Sequence, residues 1–365
     1  MTIIFHHPFP LTAEGRSGTS VRPQQMLQAF RSLGYEVEEV VGHSRERGRR
    51  ISLLREELRS GRRFDFAYAE SHTLPTPLTD PHHLPLRALL DYGFFKLLNR
   101  SRVPLGLFYR DIYWRFDSSL SFASPLKRLV TVNFHRLEWN RYRDVVDHLF
   151  LPSLGMASAL PTAWPEERLS ALPPGSDDAA DTLGTPSDAS KLSLLYVGGV
   201  APPLYDLTPL FAAATMVPSV RVTLCCRAEE WRDNRARYEL PANMTVVHAA
   251  GPELRRLYTQ AHAVVILREP HPYLDFAMPV KLLEAVSFGL PIITMRGSEA
   301  ARFVDREQLG WVVDTVASAA LLLNRLSHER DDLNAASARV LSARPRHTWQ
   351  ARAQQVAATL GGPPR

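Results

Sequence analysis

Residues 275–293 read DFAMPVKLLEAVSFGLPII, a stretch in which proline, lysine and glutamate precede a glycine and a short apolar run. If Pro279 takes the first helical position, where its fixed φ and missing N–H do no harm, Lys281 falls in the first turn of a helix. A cation there faces the positive end of the helix dipole. The penalty is roughly 0.3–1 kcal/mol, and it reverses sign when an anion bridges the lysine and the first-turn N–H groups. Lys281, Glu284 and Ser287 are spaced three apart, with Leu282, Leu283 and Val286 on the other side. A phosphate at Lys281 and a sugar hydroxyl at Glu284 would match the spacing of a nucleotide's diphosphate and ribose. An exposed i,i+3 ion pair would use the same two residues.

Working outward, the pattern is of alternating strands and helices. TIIFHH (2–7), EVEEVVG (36–42), FDFAYAE (64–70), PLGLFYRD (104–111) and DHLFLPS (147–153) read as strands, and VRPQQMLQAFRSLG (21–34) as a helix with a glycine stop. The first 43 residues form a β-α-β unit, the start of a parallel sheet. Residues 161–190 shift to Pro, Ser, Ala and Asp, the composition of an interdomain connection. Thereafter LSLLYVGG (192–199), RVTLCCR (221–227), NMTVVHA (243–249), AHAVVILRE (261–269), LPIITM (290–295) and GWVV (310–313) repeat the logic. The expected layout is an α/β domain over 1–165, a linker over 166–190, a second α/β domain over 191–345 and a terminal helix over 346–365. Ligands of such sheets bind beyond the carboxyl ends of the strands.

Composition narrows the class. A chain of 365 residues with 45% hydrophobic and 22% charged residues suits two packed globular domains. No window approaches 18 uninterrupted apolar residues, and MTIIFHHPFP lacks a signal-peptide pattern, so a soluble, cytoplasmic protein is expected. Cys225 and Cys226, as neighbours in a strand, should point to opposite faces as reduced packing residues. The net charge of +5 resides in residues 1–150, which hold 22 Lys+Arg against 16 Asp+Glu. RERGRR (45–50) and RSGRR (59–63) read as solvated helix faces. In PLKRLVTVNFHRLEWNRYR (125–143), Lys127, Arg128, Arg136, Arg141 and Arg143 mix with Phe134, Trp139 and Tyr142, which also suits peripheral contact with the inner face of an anionic membrane. No recognition motif accompanies the charge, so nucleic acid is not an expected partner.

VKLLEAVSFGLPII (280–293) resembles the signature segment of the GT-B nucleotide-sugar glycosyltransferases, particularly the mostly retaining family four, the group 1 glycosyltransferases. The resemblance implies two doubly wound Rossmann-like domains facing across a cleft. It also implies a donor ribose on Glu284, the second of two glutamates that the family separates by seven residues. Phe276 stands where the first glutamate belongs, with Asp275 as the nearest substitute. YVGGVAPPLYDL (196–207) is similar to the strand and glycine turn that open the nucleotide-binding domain, which makes Gly198 and Gly199 donor-binding candidates. The arginine and lysine that many relatives carry after this strand are missing; Gly199 stands near the arginine's place, and Arg227 is the candidate replacement. LPPG (172–175) resembles the interdomain linker motif, and HTWQARAQQVAATL (347–360) resembles the helix that crosses back to brace the first domain.

In the first domain, GRSGTSVRP (15–23) reads as a glycine-bearing loop in which Gly18 and Thr19 bring backbone N–H groups to an anion that Arg22 approaches. The family places this loop beside the donor phosphates. FYRDIYW (108–114) supplies Arg110, Asp111 as the candidate group to orient or deprotonate an acceptor hydroxyl, and Tyr113 and Trp114 as candidate sugar-stacking rings. Glu70 and His72 end the preceding strand as further acceptor-side candidates. The whole points to an enzyme moving a sugar from a nucleoside-diphosphate donor to a glycan, glycolipid or glycoprotein hydroxyl. The resemblance implies retention, no metal and no cofactor beyond the nucleotide sugar. A nucleotide-sugar 2-epimerase-like isomerase and a non-catalytic GT-B partner protein remain open alternatives.

Overall fold

The computed structural model describes residues 1–11, 18–116, 124–177 and 191–361. The chain divides into two compact units, Met1–Pro173 with the segment from Trp349, and Pro174–Thr348. The first is built on β1 (Thr2–His7), β2 (Glu36–Val41), β3 (Ala67–Glu70), β4 (Leu105–Phe108), β5 (His148–Leu151) and β6 (Leu169–Ala171). Its sheet runs in the order β2-β1-β3-β4-β5-β6, parallel throughout. The order reverses between β1 and β3, which is where an open α/β sheet leaves a crevice at its strand ends. Helices α1 (Gly18–Ser32), α2 (Ser44–Arg59), α3 (Leu90–Arg100) and α4 (Pro125–Val145) supply the crossovers.

The second unit contains β7 (Ser193–Val197), β8 (Arg221–Cys225), β9 (Met244–Val247), β10 (Ala263–Ile266), β11 (Ile292–Met295) and β12 (Gly310–Val313). Their order, β12-β11-β10-β7-β8-β9, reverses between β10 and β7. Helices α5 (Thr208–Met216), α6 (Ala228–Asn234), α7 (Gly251–Gln260), α8 (Val280–Ser287), α9 (Glu299–Arg306), α10 (Val316–His328) and α11 (Arg330–Ala343) complete it. Strand alternation feeds two cores. Leu194, Ala263 and Val265 pack on one face, and Leu195, Val264 and Ile266 on the other. Cys225 and Cys226 divide between the same two cores as free, buried thiols. The last helix, α12 (Trp349–Gly361), returns to the first unit, where Trp349, Ala353, Val356 and Leu360 pack with Phe5, Phe30 and Phe150.

Four local expectations need correction. The segment 166–190 is not all linker: β6 lies inside it and pairs with β5, so the first unit extends to Pro173; residues 178–190 lie outside the described residues. Helix α1 begins at Gly18, placing Gly18 and Thr19 in its first turn rather than in a loop; Gly15–Ser17 lie outside the described residues. Within RERGRR, Arg47 is buried and donates from Nε (2.7 Å) and Nη2 (2.8 Å) to the two oxygens of Asp91, while His6 Nε2 lies 2.7 Å from Asp91 Oδ1. Burial alone would raise the Asp91 pKa, but Arg47 and His6 outweigh it and hold the carboxyl well below its usual value. In α4, Trp139 and Tyr142 are core residues, and the exposed apolar side chains are Leu126, Leu129, Val130 and Leu137.

Candidate functional site

In the second unit the chain enters α8 through Pro279, whose ψ of 132° makes it the N-cap, one residue before the position its sequence suggests. Lys281 is therefore the second helical residue, and Pro279, as N-cap, offers the first-turn N–H groups no side-chain cap. The helix ends at a Schellman motif: Gly289 has φ of +68°, the Leu290 N–H donates to Ala285 O (3.0 Å), and the Gly289 N–H to Val286 O (3.1 Å). The glycine and following Pro291 thus turn the chain directly into β11.

Lys281 Nζ donates to both oxygens of Glu284 at 2.8 and 2.9 Å, so the i,i+3 pair forms. Both side chains stay about one-third exposed, at 37% and 31%. A residue that periodicity did not single out completes the arrangement. The Tyr258 hydroxyl, on α7, donates to Glu284 Oε2 (2.9 Å), and its ring stacks on Phe288 at 4.8 Å. Burial and the neighbouring Glu284 push the Tyr258 pKa well up, keeping it a donor. Ser287, third in the polar stripe, is buried and accepts from the Asp177 N–H (2.9 Å), which makes it a holder of the chain's entry into this unit.

The turn after β7 is shaped by Glu230. Its Oε1 accepts from the N–H groups of Val200 (2.8 Å) and Ala201 (3.2 Å), so a carboxylate of the protein already occupies these donors. A Cβ on Gly199 would lie 2.6 Å from the Tyr205 ring and 2.8 Å from Glu230 Oε1, so only glycine fits without displacement. Arg227 caps α6 as an 83%-exposed side chain 3.7 Å from Glu230. Asp275 closes a short 3-10 turn and is 61% exposed, 4.0 Å from Arg302, while Phe276 turns inward against Tyr273. Arg268, two residues beyond β10, is buried and lies over the Tyr205 ring at 5.6 Å. Nothing in the apolar run AHAVVIL flags it, because its burial depends on a loop more than 60 residues earlier.

In the first unit, the strand ends at the β1–β3 crevice gather Glu70, His72 and Arg110 with His7, which the sequence reading did not single out. Glu70 is fully buried between two guanidinium groups, Arg22 Nε and Arg110 Nη2, each at 3.3 Å, and accepts from the Tyr68 hydroxyl (2.9 Å). Arg22 also covers the Phe108 ring at 3.5 Å and is only 3% exposed, so it is turned inward onto Glu70. The His72 ring stacks on Phe9 at 5.0 Å; burial, with Arg110 adding to it, pushes its pKa down to about 4. His7 lies near Phe9 O through Nδ1 (2.9 Å), and burial holds it well below its usual value. The imidazoles are uncharged, and the two arginines face Glu70 with Asp111 also acting on Arg110, so the charges of the cluster nearly balance.

FYRDIYW divides by burial. Asp111 Oδ1 accepts from the Tyr113 N–H (2.9 Å), forming the turn that presents both residues at the partly exposed end of β4. Burial, and Asp111 beside it, push the Tyr113 pKa up to about 12. Trp114 is 6% exposed, donates from Nε1 to the Tyr109 hydroxyl (3.2 Å) and stacks on His135 at 5.1 Å. Its face is covered, so the ring braces the site rather than offering a sugar platform. Among the described residues no group of three His, Cys, Asp or Glu is placed to hold a metal ion, and no helix is long and apolar enough to cross a membrane.

Residues 208–358 match the family model described as Glycosyl transferase-like. A search of the curated proteins finds no match. Among solved structures, the whole chain superposes on the whole of HepE from Anabaena in complex with UDP and glucose, with a TM-score of 0.65 at 14% identity. It also superposes over 100% of both chains on WaaG, a glycosyltransferase involved in lipopolysaccharide biosynthesis (TM-score 0.57, 12% identity). Sucrose-phosphate synthase from Thermosynechococcus elongatus matches over 98% of both chains (TM-score 0.59, 16% identity). At these identities the structures share the fold, which is GT-B.

Proposed function

We propose that this chain, whose fold is GT-B, is a glycosyltransferase that moves a sugar from a nucleoside-diphosphate donor to a hydroxyl acceptor with retention of configuration. The observation that carries the reading is Glu284, held from one side by the Tyr258 hydroxyl and from the other by the Lys281 ammonium at the uncapped start of α8. A ribose hydroxyl can donate to the same carboxylate. Lys281 is then free to turn toward the β-phosphate, where charge develops as the leaving group departs. Preorganised donors of this kind meet that charge without a metal ion. The nucleotide is read as uridine diphosphate, since HepE is described in complex with UDP and with UDP-glucose.

The acceptor is assigned to the first unit's cluster around Glu70, with Arg110, His72 and Tyr113 as its neighbours. Asp111 serves as base only if the reaction inverts, and Asp275 is the carboxylate nearest the missing glutamate. An acceptor that is anionic or lipid-borne fits the basic excess of residues 1–150 and the exposed leucines of α4. The test is a panel of UDP-, GDP- and dTDP-sugars scored by thermal shift and by release of nucleoside diphosphate. Wild type should be stabilised by one nucleotide class, and Glu284→Ala should lose that shift. Turnover should survive EDTA. Donor conversion with no acceptor present would instead identify an isomerase, and absence of both binding and turnover across the panel would sink the enzyme reading.

A further inference from the structure

The second unit lacks a cation where its fold usually carries one, on the turn after the first strand. That turn cannot regain it, because Gly199 has no room for a side chain and Glu230 occupies the two nearest N–H groups. A donor diphosphate needs positive charge nearby, and an arginine supplies it with planar, bidentate geometry. The neighbouring strand provides one. Arg268 follows β10, the partner of β7 at the point where the sheet order reverses. It is 8% exposed and, among the described residues, has neither a hydrogen-bond nor an ion-pair partner. Buried charges are ordinarily paired. Its guanidinium lies over Tyr205, the ring that closes the same turn on Gly199. Arg268 also lines a small surface pocket with Glu269, Leu274, Arg296, Gly297 and Ser298. Arg227, the alternative cation, is largely in water and already faces Glu230.

We infer that Arg268 holds the diphosphate of the nucleotide sugar, replacing from β10 the charge that the turn after β7 has lost. The inference rests on the proposed donor. Its test measures binding of UDP and of UMP, which lacks the β-phosphate, to wild type, Arg268→Gln and Arg268→Lys. Arg268→Gln should weaken UDP roughly 10- to 100-fold while leaving UMP within about twofold, and Arg268→Lys should recover part of the loss. Tyr205→Ala, which removes the ring beneath the guanidinium from a partly exposed position, should weaken UDP several-fold without touching UMP; it decides the matter if Arg268→Gln does not fold. Unchanged UDP affinity in the folded variants overturns the assignment. So does an equal loss for UDP and UMP, or a loss confined to donors with an acidic sugar, which would place a sugar carboxylate on Arg268. A wild type that binds no nucleotide overturns the donor reading itself, whereas a wild type that binds UDP indifferently to Arg268 overturns this assignment alone.

Discussion

Glu138 is a partly buried carboxyl whose titration bears on the stability of the first unit. Its Oε1 accepts from the Thr76 N–H (2.9 Å), and burial pushes its pKa from 4.5 up to about 7 despite that bond. A carboxyl whose folded value is raised binds more protons in the folded than in the unfolded state between those limits. Its stabilising contribution is therefore complete below about pH 4.5 and lost as the pH rises through 7. Glu138→Gln keeps the acceptor and removes the charge, so it should raise stability at pH 8 by roughly 1–3 kcal/mol and have little effect at pH 5. Denaturant titration at the two pH values checks this; equal effects at both would contradict it. The Arg47–Asp91–His6 cluster is the opposite case, since its carboxyl is already paired and holds its charge to low pH.

At the scale of elements, the return of α12 to the first unit depends on a strand glycine. A Cβ at Gly106, in β4, would lie 2.6 Å from Leu360 Cδ1 and 2.8 Å from the Phe150 ring. Gly106→Val should cost on the order of 1–3 kcal/mol by overpacking this contact, and Gly106→Val with Leu360→Ala should recover part of it. Thermal melts of the single and double variants test the coupling, and additive losses would refute it. The helix α8 makes a related point. Its glycine stop and uncapped start were legible in PVKLLEAVSFGLP, because both are local backbone chemistry. Tyr258 was not, because it reaches Glu284 from α7, 26 positions earlier in the chain.

For the molecule as a whole, the basic excess of residues 1–150 meets the exposed Leu126, Leu129, Val130 and Leu137 on α4, where Lys127 and Arg136 are also exposed. Under the proposed lipid-borne acceptor, binding to vesicles containing an anionic phospholipid should weaken as salt rises from about 0.1 to 1 M, since screening tightens to roughly 3 Å. Lys127→Glu with Arg136→Glu should abolish most of it. Binding that ignores salt and both substitutions would remove the membrane from the proposal.

The sequence by itself determined the two α/β units, the alternation that fills their cores, and the Lys281–Glu284 spacing on a helix that follows a strand and loop. Each of these depends on periodicity or on residues a turn apart. Tertiary structure decided which polar side chains lie beside one another. It set Arg22 and Arg110 on Glu70, turned Trp114 onto His135, placed Glu230 on the turn after β7 and laid the buried Arg268 over the Tyr205 ring. It also drew β6 out of a segment whose composition reads as linker, because an edge strand of three residues is specified by the ladder of β5 rather than by its own apolar content. Contacts between distant segments carry no local signature, so the chemistry of the strand ends became readable only when parallel pairing had brought those ends together.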